Sequence, residues 1–365
     1  MTQTARPSSF GFVVHPPTLR YVRKAIPALR YVPDGLVVSL IKHQKPYLIS
    51  RVRRISSVLG REVQGFFVVC PLLPRQMLVL ETEFVLERIV GAGRIAERLG
   101  AGILGLGGYT SIVGDKGYTV ASRLNLAVTS GSAMTAWSAV EAIRRLAQQR
   151  GVDPGRSTLA VIGASGSIGS LCTKVLAPSV RKVIVNARHQ DRLERLRDEL
   201  AKSGATDVLV EMDAHKAVAA ADLIITTTSA PDALFSADEL RSGSVVADVS
   251  VPKNISKVEH SRNDVTVVDG GRVKLPGKPE FSVDIGLSRG VVYACMAETM
   301  ALALEGRLEN FSLGDNISPA KVEEIGQIGR KHGFDVWLGG SKDEGRAVSE
   351  RAGIEDMGPV GVRPD

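Results

Sequence analysis

Two groups of residues in this 365-residue chain have the types and spacing for chemistry: a glycine-rich run and a cysteine inside an apolar run. The first, TLAVIGASGSIGS from Thr158 to Ser170, drives an apolar stretch into Gly163, Gly166 and Gly169 and then into a helix beginning near Ile168. In such a turn the first glycine permits the sharp change of direction, the second lets main chain approach an anion, and the third lets helix and strand pack closely. Free N–H groups at the helix start then receive a pyrophosphate. Gly163, Ala164, Ser165, Gly166, Ser167, Ile168 and Gly169 are therefore candidate dinucleotide-binding residues, with spacing G-x-x-G-x-x-G instead of G-x-G-x-x-G. The next strand ends in Asn186, Ala187 and Arg188, where a site preferring NAD carries an acid for the ribose hydroxyls. Arg188, with Arg192 following, offers guanidinium groups to a 2′-phosphate, which points to NADPH. Thr227, Thr228, Val249 and Ser250, at the ends of later strands, are expected to line the cleft beside the nicotinamide.

The second feature is Cys295, in VVYACMAE from Val291 to Glu298. The run reads as a helix over roughly 291–304 opened by Ser288 and closed by Gly306, which puts Cys295 in the second turn, where the helix dipole does little. Glu298 one turn on disfavours a thiolate. Cys70, Cys172 and Cys295 are odd in number and outside metal-ligand spacing, so disulfides and structural zinc are not expected. Read by pattern alone, each is a small buried hydrophobe.

The elements that must position these residues follow from periodicity. Residues 10–130 combine β-branched runs (Val37 to Ile41, Phe66 to Cys70) with a long helical pattern from Gln76 to Leu99. A glycine-rich loop follows over Gly102 to Gly108, with Tyr109, Thr110 and Ser111, where main chain can approach a ligand. A helix after Ser132 ends at Gly151. Strands are expected at Leu159–Ile162, Val183–Val185, Val208–Val210, Leu223–Thr226, Val245–Ala247 and Val265–Val268, the pattern of a parallel sheet covered on both faces. The fold class is thus α/β: an N-terminal α/β domain (10–130), a doubly wound Rossmann domain (131–275) and a C-terminal helical region (276–340), with polar tails at 1–9 and 341–365. A helix from Ala320 to Lys331 is opened by Ser318 and Pro319.

The formal charge of +7 is concentrated: between Arg20 and Arg61 ten Lys and Arg face Asp34 alone. Such a face attracts an acidic protein, anionic lipid or nucleic acid. No apolar stretch reaches membrane-spanning length and the first residues lack a signal-peptide order, so a cytoplasmic location is expected.

Across Phe10 to about Gly333 the chain resembles the long-chain acyl-[acyl carrier protein] reductases of the cyanobacterial, aldehyde-forming type. The matching stretches are Phe10-Gly11 with His15, LGGYTSI (Leu106 to Ile112), GASGSIGS, NARHQDRL (Asn186 to Leu193), Pro252-Lys253-Asn254, Asp269-Gly270-Gly271 and, most specifically, YACMAETMALALEGRLENFS. The resemblance implies that Cys295 accepts an acyl group from acyl carrier protein or coenzyme A, and that hydride from NADPH releases a fatty aldehyde for a downstream aldehyde-using enzyme. It makes the basic stretch a docking surface for acidic acyl carrier protein, with peripheral membrane contact and no nucleic-acid role. Gly107 to Ser111, and the hydroxyls of Ser250 and Thr228, are candidate donors to the developing oxyanion, with Gly108, Tyr109, Thr110 and Ser111 on the substrate side. The chain departs from the family in TSGSAMTA (Thr129 to Ala136), which lacks an asparagine and a histidine, and in Asp248 to Val251, where the family has D-G-G-Y. Two other readings compete: a shikimate dehydrogenase-like enzyme acting on a small hydroxy or amino acid, and a non-catalytic NADPH-binding protein.

Overall fold

The computed structural model describes residues 9–204, 207–230, 233–251, 253–256 and 262–339. Pro252 and the C-terminal tail from 340 lie outside them.

The first sheet is built from β1 (Ser9–Val14), β2 (Tyr47–Ser56), β3 (Glu62–Val69), β4 (Ile103–Leu106) and β5 (Ala127–Thr129). Strands β1, β3, β4 and β5 run parallel, while β2 is antiparallel to β3. The second sheet contains β6 (Thr158–Ile162), β7 (Lys182–Asn186), β8 (Val208–Val210), β9 (Leu223–Thr226), β10 (Val245–Asp248) and β11 (Thr266–Asp269). Its order β8-β7-β6-β9-β10-β11, all parallel, is that of a doubly wound Rossmann domain, so the chain is an α/β protein as its alternating apolar runs predict. Three further strands, β12 (Arg272–Lys274), β14 (Val291–Tyr293) and β15 (Asp335–Val336), form a small antiparallel sheet. Strand β13 (Gly277–Phe281) returns to the first sheet and pairs with β2 at its outer edge, so this part of the 276–340 region extends the N-terminal sheet.

One core runs through both units. The helix Ala294–Glu305 is buried nearly all round, which explains why its sequence is apolar on every face. It packs with the helices Ser132–Arg150 and Pro319–His332 in a cluster that also takes Phe10, Phe12 and Phe67 from the first sheet and Leu159, Val161 and Ile225 from the second. The helix after Ser132 ends, as its sequence predicts, at left-handed Gly151.

Four local readings are corrected. Val37 to Ile41 lies in the helix Asp34–His43, because Val37 and Ile41, one turn apart, both face inward with Val22. The helical pattern from Gln76 to Leu99 is two helices, Pro74–Val79 and Thr82–Arg98, separated at Leu80 and Glu81. Much of the glycine-rich stretch after Gly102 is strand β4: Gly105 is there because a Cβ would lie 2.0 Å from Thr299 Oγ1 and 2.4 Å from the Phe12 ring. Val291 to Tyr293 is extended, paired with Arg272–Lys274, so the cysteine helix starts at Ala294 with Tyr293 as its N-cap. The β-branched and aromatic side chains favour the ladder over the helix there.

Candidate active site at the inter-domain cleft

The turn after β6 is tightly determined. Gly163 sits at φ +87°, and the N–H groups of Gly163 and Ala164 donate to the Asn186 carbonyl at 2.8 and 3.0 Å. Thr227 holds it from the neighbouring strand, its N–H on the Ile162 carbonyl at 2.8 Å and its hydroxyl within 3.3 Å of the Gly163 carbonyl. A Cβ on Gly169 would fall 2.3 Å from that same carbonyl, whereas one on Gly166 would meet only the Gly163 carbonyl, at 3.4 Å. The first and third glycines are therefore closed by protein and the second is open, with half-buried Ser165, Gly166, Ser167 and Ile168 leading into the helix Ser167–Leu176. This cradle fits a dinucleotide pyrophosphate. Arg188 and Arg192 are exposed beyond the end of β7, and Arg188 forms no ion pair among the described residues, so its guanidinium is free for a phosphate.

Cys295 is the second residue of its helix, not a second-turn residue. At this position the unsatisfied N–H groups and the dipole act directly on the thiol. Its side chain keeps an accessible edge, yet burial pushes the thiol up to about 12. The Met296 N–H opposes that rise, Glu298 adds to it, and the Gly108 N–H opposes it. The thiol is protonated in the resting protein, and three N–H groups, of Met296, Gly108 and Cys295 itself, favour negative charge on Sγ. Gly131, at φ +77°, backs the cysteine so closely that a Cβ would lie 2.2 Å from Cys295 Cβ.

Glu298 does not turn toward the thiol. It accepts from the Thr129 hydroxyl and, at 2.7 Å, from the Met134 N–H, closing the start of the helix Ser132–Arg150. Burial raises this carboxyl, and these hydrogen bonds work against the rise.

The predicted sites divide into groups. Of Gly108, Tyr109, Thr110 and Ser111, the structure relates Gly108 to Cys295, through its N–H. Thr110 and Ser111 spend their hydroxyl protons on the Gly107 and Gly108 carbonyls, leaving main-chain N–H as the donor that faces the thiol. Thr228 and Ser250 are not oxyanion donors in this arrangement: both hydroxyls donate to Asn254 Oδ1, at 2.8 and 2.7 Å. Asn186 and Thr227 brace the turn rather than face a ligand: Asn186 is buried with its amide on the Glu211 carbonyl, and Thr227 is held as described. Ala187 and Val249 are half-buried just beyond the ends of β7 and β10.

Sequence reasoning gave no role to four residues that the fold places here. His15 accepts the Tyr109 N–H on Nε2 at 3.2 Å and has Nδ1 3.3 Å from the Pro16 carbonyl, so its neutral form fits with the proton on Nδ1. Burial lowers its pKa, which the Pro16 carbonyl opposes. The Tyr293 hydroxyl is pushed up to about 12, chiefly by burial, and stays a donor beside Cys295. Lys116 and Asp315 reach from opposite parts of the chain to the Ser167 hydroxyl, each at 3.0 Å, and tie the glycine turn to the first domain. The motif LGGYTSI with His15 was a signal for the first of these, without the distance to connect them.

Among the described residues no helix is long and apolar enough to cross a membrane. The sequence model of shikimate and quinate 5-dehydrogenases matches residues 145–270. The chain is 30% identical to the aminotransferase PigE of a Serratia species over 90% of its own length, but spans only 39% of that protein. It is 27% identical to the long-chain acyl-[acyl-carrier-protein] reductase of Synechococcus elongatus over 89% of its length and 98% of that chain's. Among solved structures, the L-tryptophan dehydrogenase of Nostoc punctiforme superposes with a TM-score of 0.42 at 11% identity, covering 89% of this chain and 80% of that one. The chain is a Rossmann protein of the NAD(P)-dependent oxidoreductase type, related in sequence to acyl-[acyl-carrier-protein] reductase.

Proposed function

We propose that the protein reduces a fatty acyl thioester to an aldehyde with NADPH, through an acyl group held on Cys295. The observation that supports this reading most directly is the placement of the thiol at a helix start, with the Met296 and Gly108 N–H groups favouring its ionised form. In the first step Sγ attacks the thioester of acyl carrier protein or coenzyme A. The Sγ–carbonyl bond forms, the carrier C–S bond breaks, and the thiol proton leaves with the carrier sulfur. The N–H groups of Met296 and Gly108 would stabilise the negative charge on Sγ as the thiol gives up its proton, and that charge passes to the carbonyl oxygen on attack. The new thioester keeps an electrophilic carbonyl, as an ordinary ester would not. NADPH, when bound, supplies the hydride; with one proton from solvent the C–Sγ bond then breaks, giving aldehyde and regenerated thiol. Arg188 would pair with the 2′-phosphate, and Ser165 to Ile168 would receive the pyrophosphate.

Intact-mass measurement after incubation with acyl thioesters, without NADPH, tests the reading. The expected result is one acyl adduct, absent from Cys295→Ala. Full NADPH-dependent turnover by Cys295→Ala with no adduct on the wild type would refute the covalent route and favour the dehydrogenase reading that the 145–270 match supports for the Rossmann half.

A further inference from the structure

The basic stretch does not form one surface. Arg54 pairs with Glu280 at 2.8 Å, Arg61 donates to the Leu304 carbonyl at 3.2 Å at the end of the cysteine helix, and Arg23 pairs with Asp34. Eight of the ten cations have no acidic partner among the described residues, and five of these eight lie on or just after the helical unit made of Leu19–Ala25, Pro27–Tyr31 and Asp34–His43, the others being Arg51, Arg53 and Arg61. Arg20, Lys24, Arg30, Lys42 and Lys45 have no acidic partner among the described residues, and the unit's single acid, Asp34, is already taken by Arg23.

The same unit exposes large apolar side chains. Tyr31 is 91% exposed, Leu36 58% and Leu40 57%, with Tyr21 and Ile26 also exposed. These are not residues left over from a poor core. Val22, Val37 and Ile41 fill a small cluster of their own with Leu73, so the helix Asp34–His43 has an inward ridge (Val37, Ile41) and an outward one (Leu36, Leu40), each one turn apart. An outward apolar ridge bracketed by cations on a short helical unit has the chemistry of an interfacial anchor: leucines and tyrosines enter the acyl boundary while lysines and arginines meet lipid phosphates. Nucleic acid gains nothing from protruding leucines.

We infer that residues 19–45 dock the protein on an anionic phospholipid bilayer, with Tyr31, Leu36 and Leu40 inserted and Arg20, Lys24, Arg30, Lys42 and Lys45 on the headgroups. The inference does not depend on the acyl-thioester reading. It is tested by flotation of the full chain with vesicles of phosphatidylcholine alone and with about a third phosphatidylglycerol at about 0.1 M salt. Wild type is expected to float with the anionic vesicles only. L36E/L40E is expected to bind at least about tenfold more weakly at every salt concentration, and R20Q/K24Q/R30Q to lose the preference for anionic lipid. Thermal melting and NADPH binding, which neither variant should change, check that each is folded. Failure of the wild type to float, or flotation of folded L36E/L40E equal to wild type, overturns the inference. So does a result in which vesicles are ignored while these variants raise KM for a carrier-protein thioester and not for a coenzyme A thioester, because the surface then belongs to an acidic protein.

Discussion

The turn after β6 and the turn after β4 both bring main-chain N–H groups to the cleft, and they are held by different means. The first is fixed locally and by adjacent strands: Asn186 and Thr227 clamp it, and its glycines are spaced so that only the middle one opens outward. The second is fixed from far along the chain, by His15 on the Tyr109 N–H and by the cysteine helix that packs Thr299 on Gly105. A dinucleotide is a constant ligand and suits a cradle that its own motif completes. The thiol-facing turn depends on three separate segments, 15, 107–111 and 295, so small shifts in any of them change what the thiol meets.

Perturbations at the two turns should therefore separate binding from chemistry. The largest effect is expected for Cys295→Ala, which should lower thioester-dependent kcat by at least about 10³-fold while the Kd for NADPH, read by fluorescence titration, stays within about twofold. Next, a thiol near 12 holds about 10³-fold less thiolate at pH 7 than an ordinary cysteine. Alkylation of Cys295 by iodoacetamide should be slow at neutral pH and still accelerating at about pH 10, in contrast to the denatured chain. A plateau near pH 8 would show that the second turn activates the thiol before substrate arrives. Native mass spectra should show a single label, because Cys70 and Cys172 are buried and also raised to about 12.

On the dinucleotide side, Arg188→Glu should cost about 10–100-fold in kcat/KM for NADPH, the loss of one charge-assisted pair, with NADH affected little. The smallest expected effect is at His15. His15→Ala should lower kcat about 2–10-fold, the range for one hydrogen bond, with KM for NADPH unchanged, and His15→Gln should restore part of it. Because burial lowers the His15 pKa, the unfolded chain takes up this proton first as pH falls. The residue's contribution to stability is thus present above the unfolded value of about 6.5 and lost as pH drops below it. The wild type should lose melting temperature across that interval more steeply than His15→Gln.

The Rossmann half was legible because its signals are local: each strand is a continuous apolar run, and Gly163, Gly166 and Gly169 carry their own geometry. The cysteine was harder. Val291 to Tyr293 reads as helix by continuity with the apolar run Ala294 to Leu304, and only pairing with Arg272–Lys274 makes it a strand and shifts Cys295 to the helix start. Thr228 and Ser250 looked like free hydroxyls because Asn254, which consumes both, is buried, and the Pro252-Lys253-Asn254 stretch in which it stands carries no signal of those partners. His15 was visible as part of a matching stretch, but its partner at Tyr109 is a main-chain group, which no side-chain pattern records.

The return of β13 to the edge of β2 has a consequence for how the molecule is made. The first sheet cannot close its outer edge until the whole dinucleotide domain, which lies between these strands in sequence, has been synthesised. Until then β2 presents an unpaired edge able to recruit a neighbouring chain. The two units therefore complete one another late, and the strand that seals the sheet, ending at Phe281, precedes in sequence the strand and helix that carry Cys295, which begin at Val291 and Ala294.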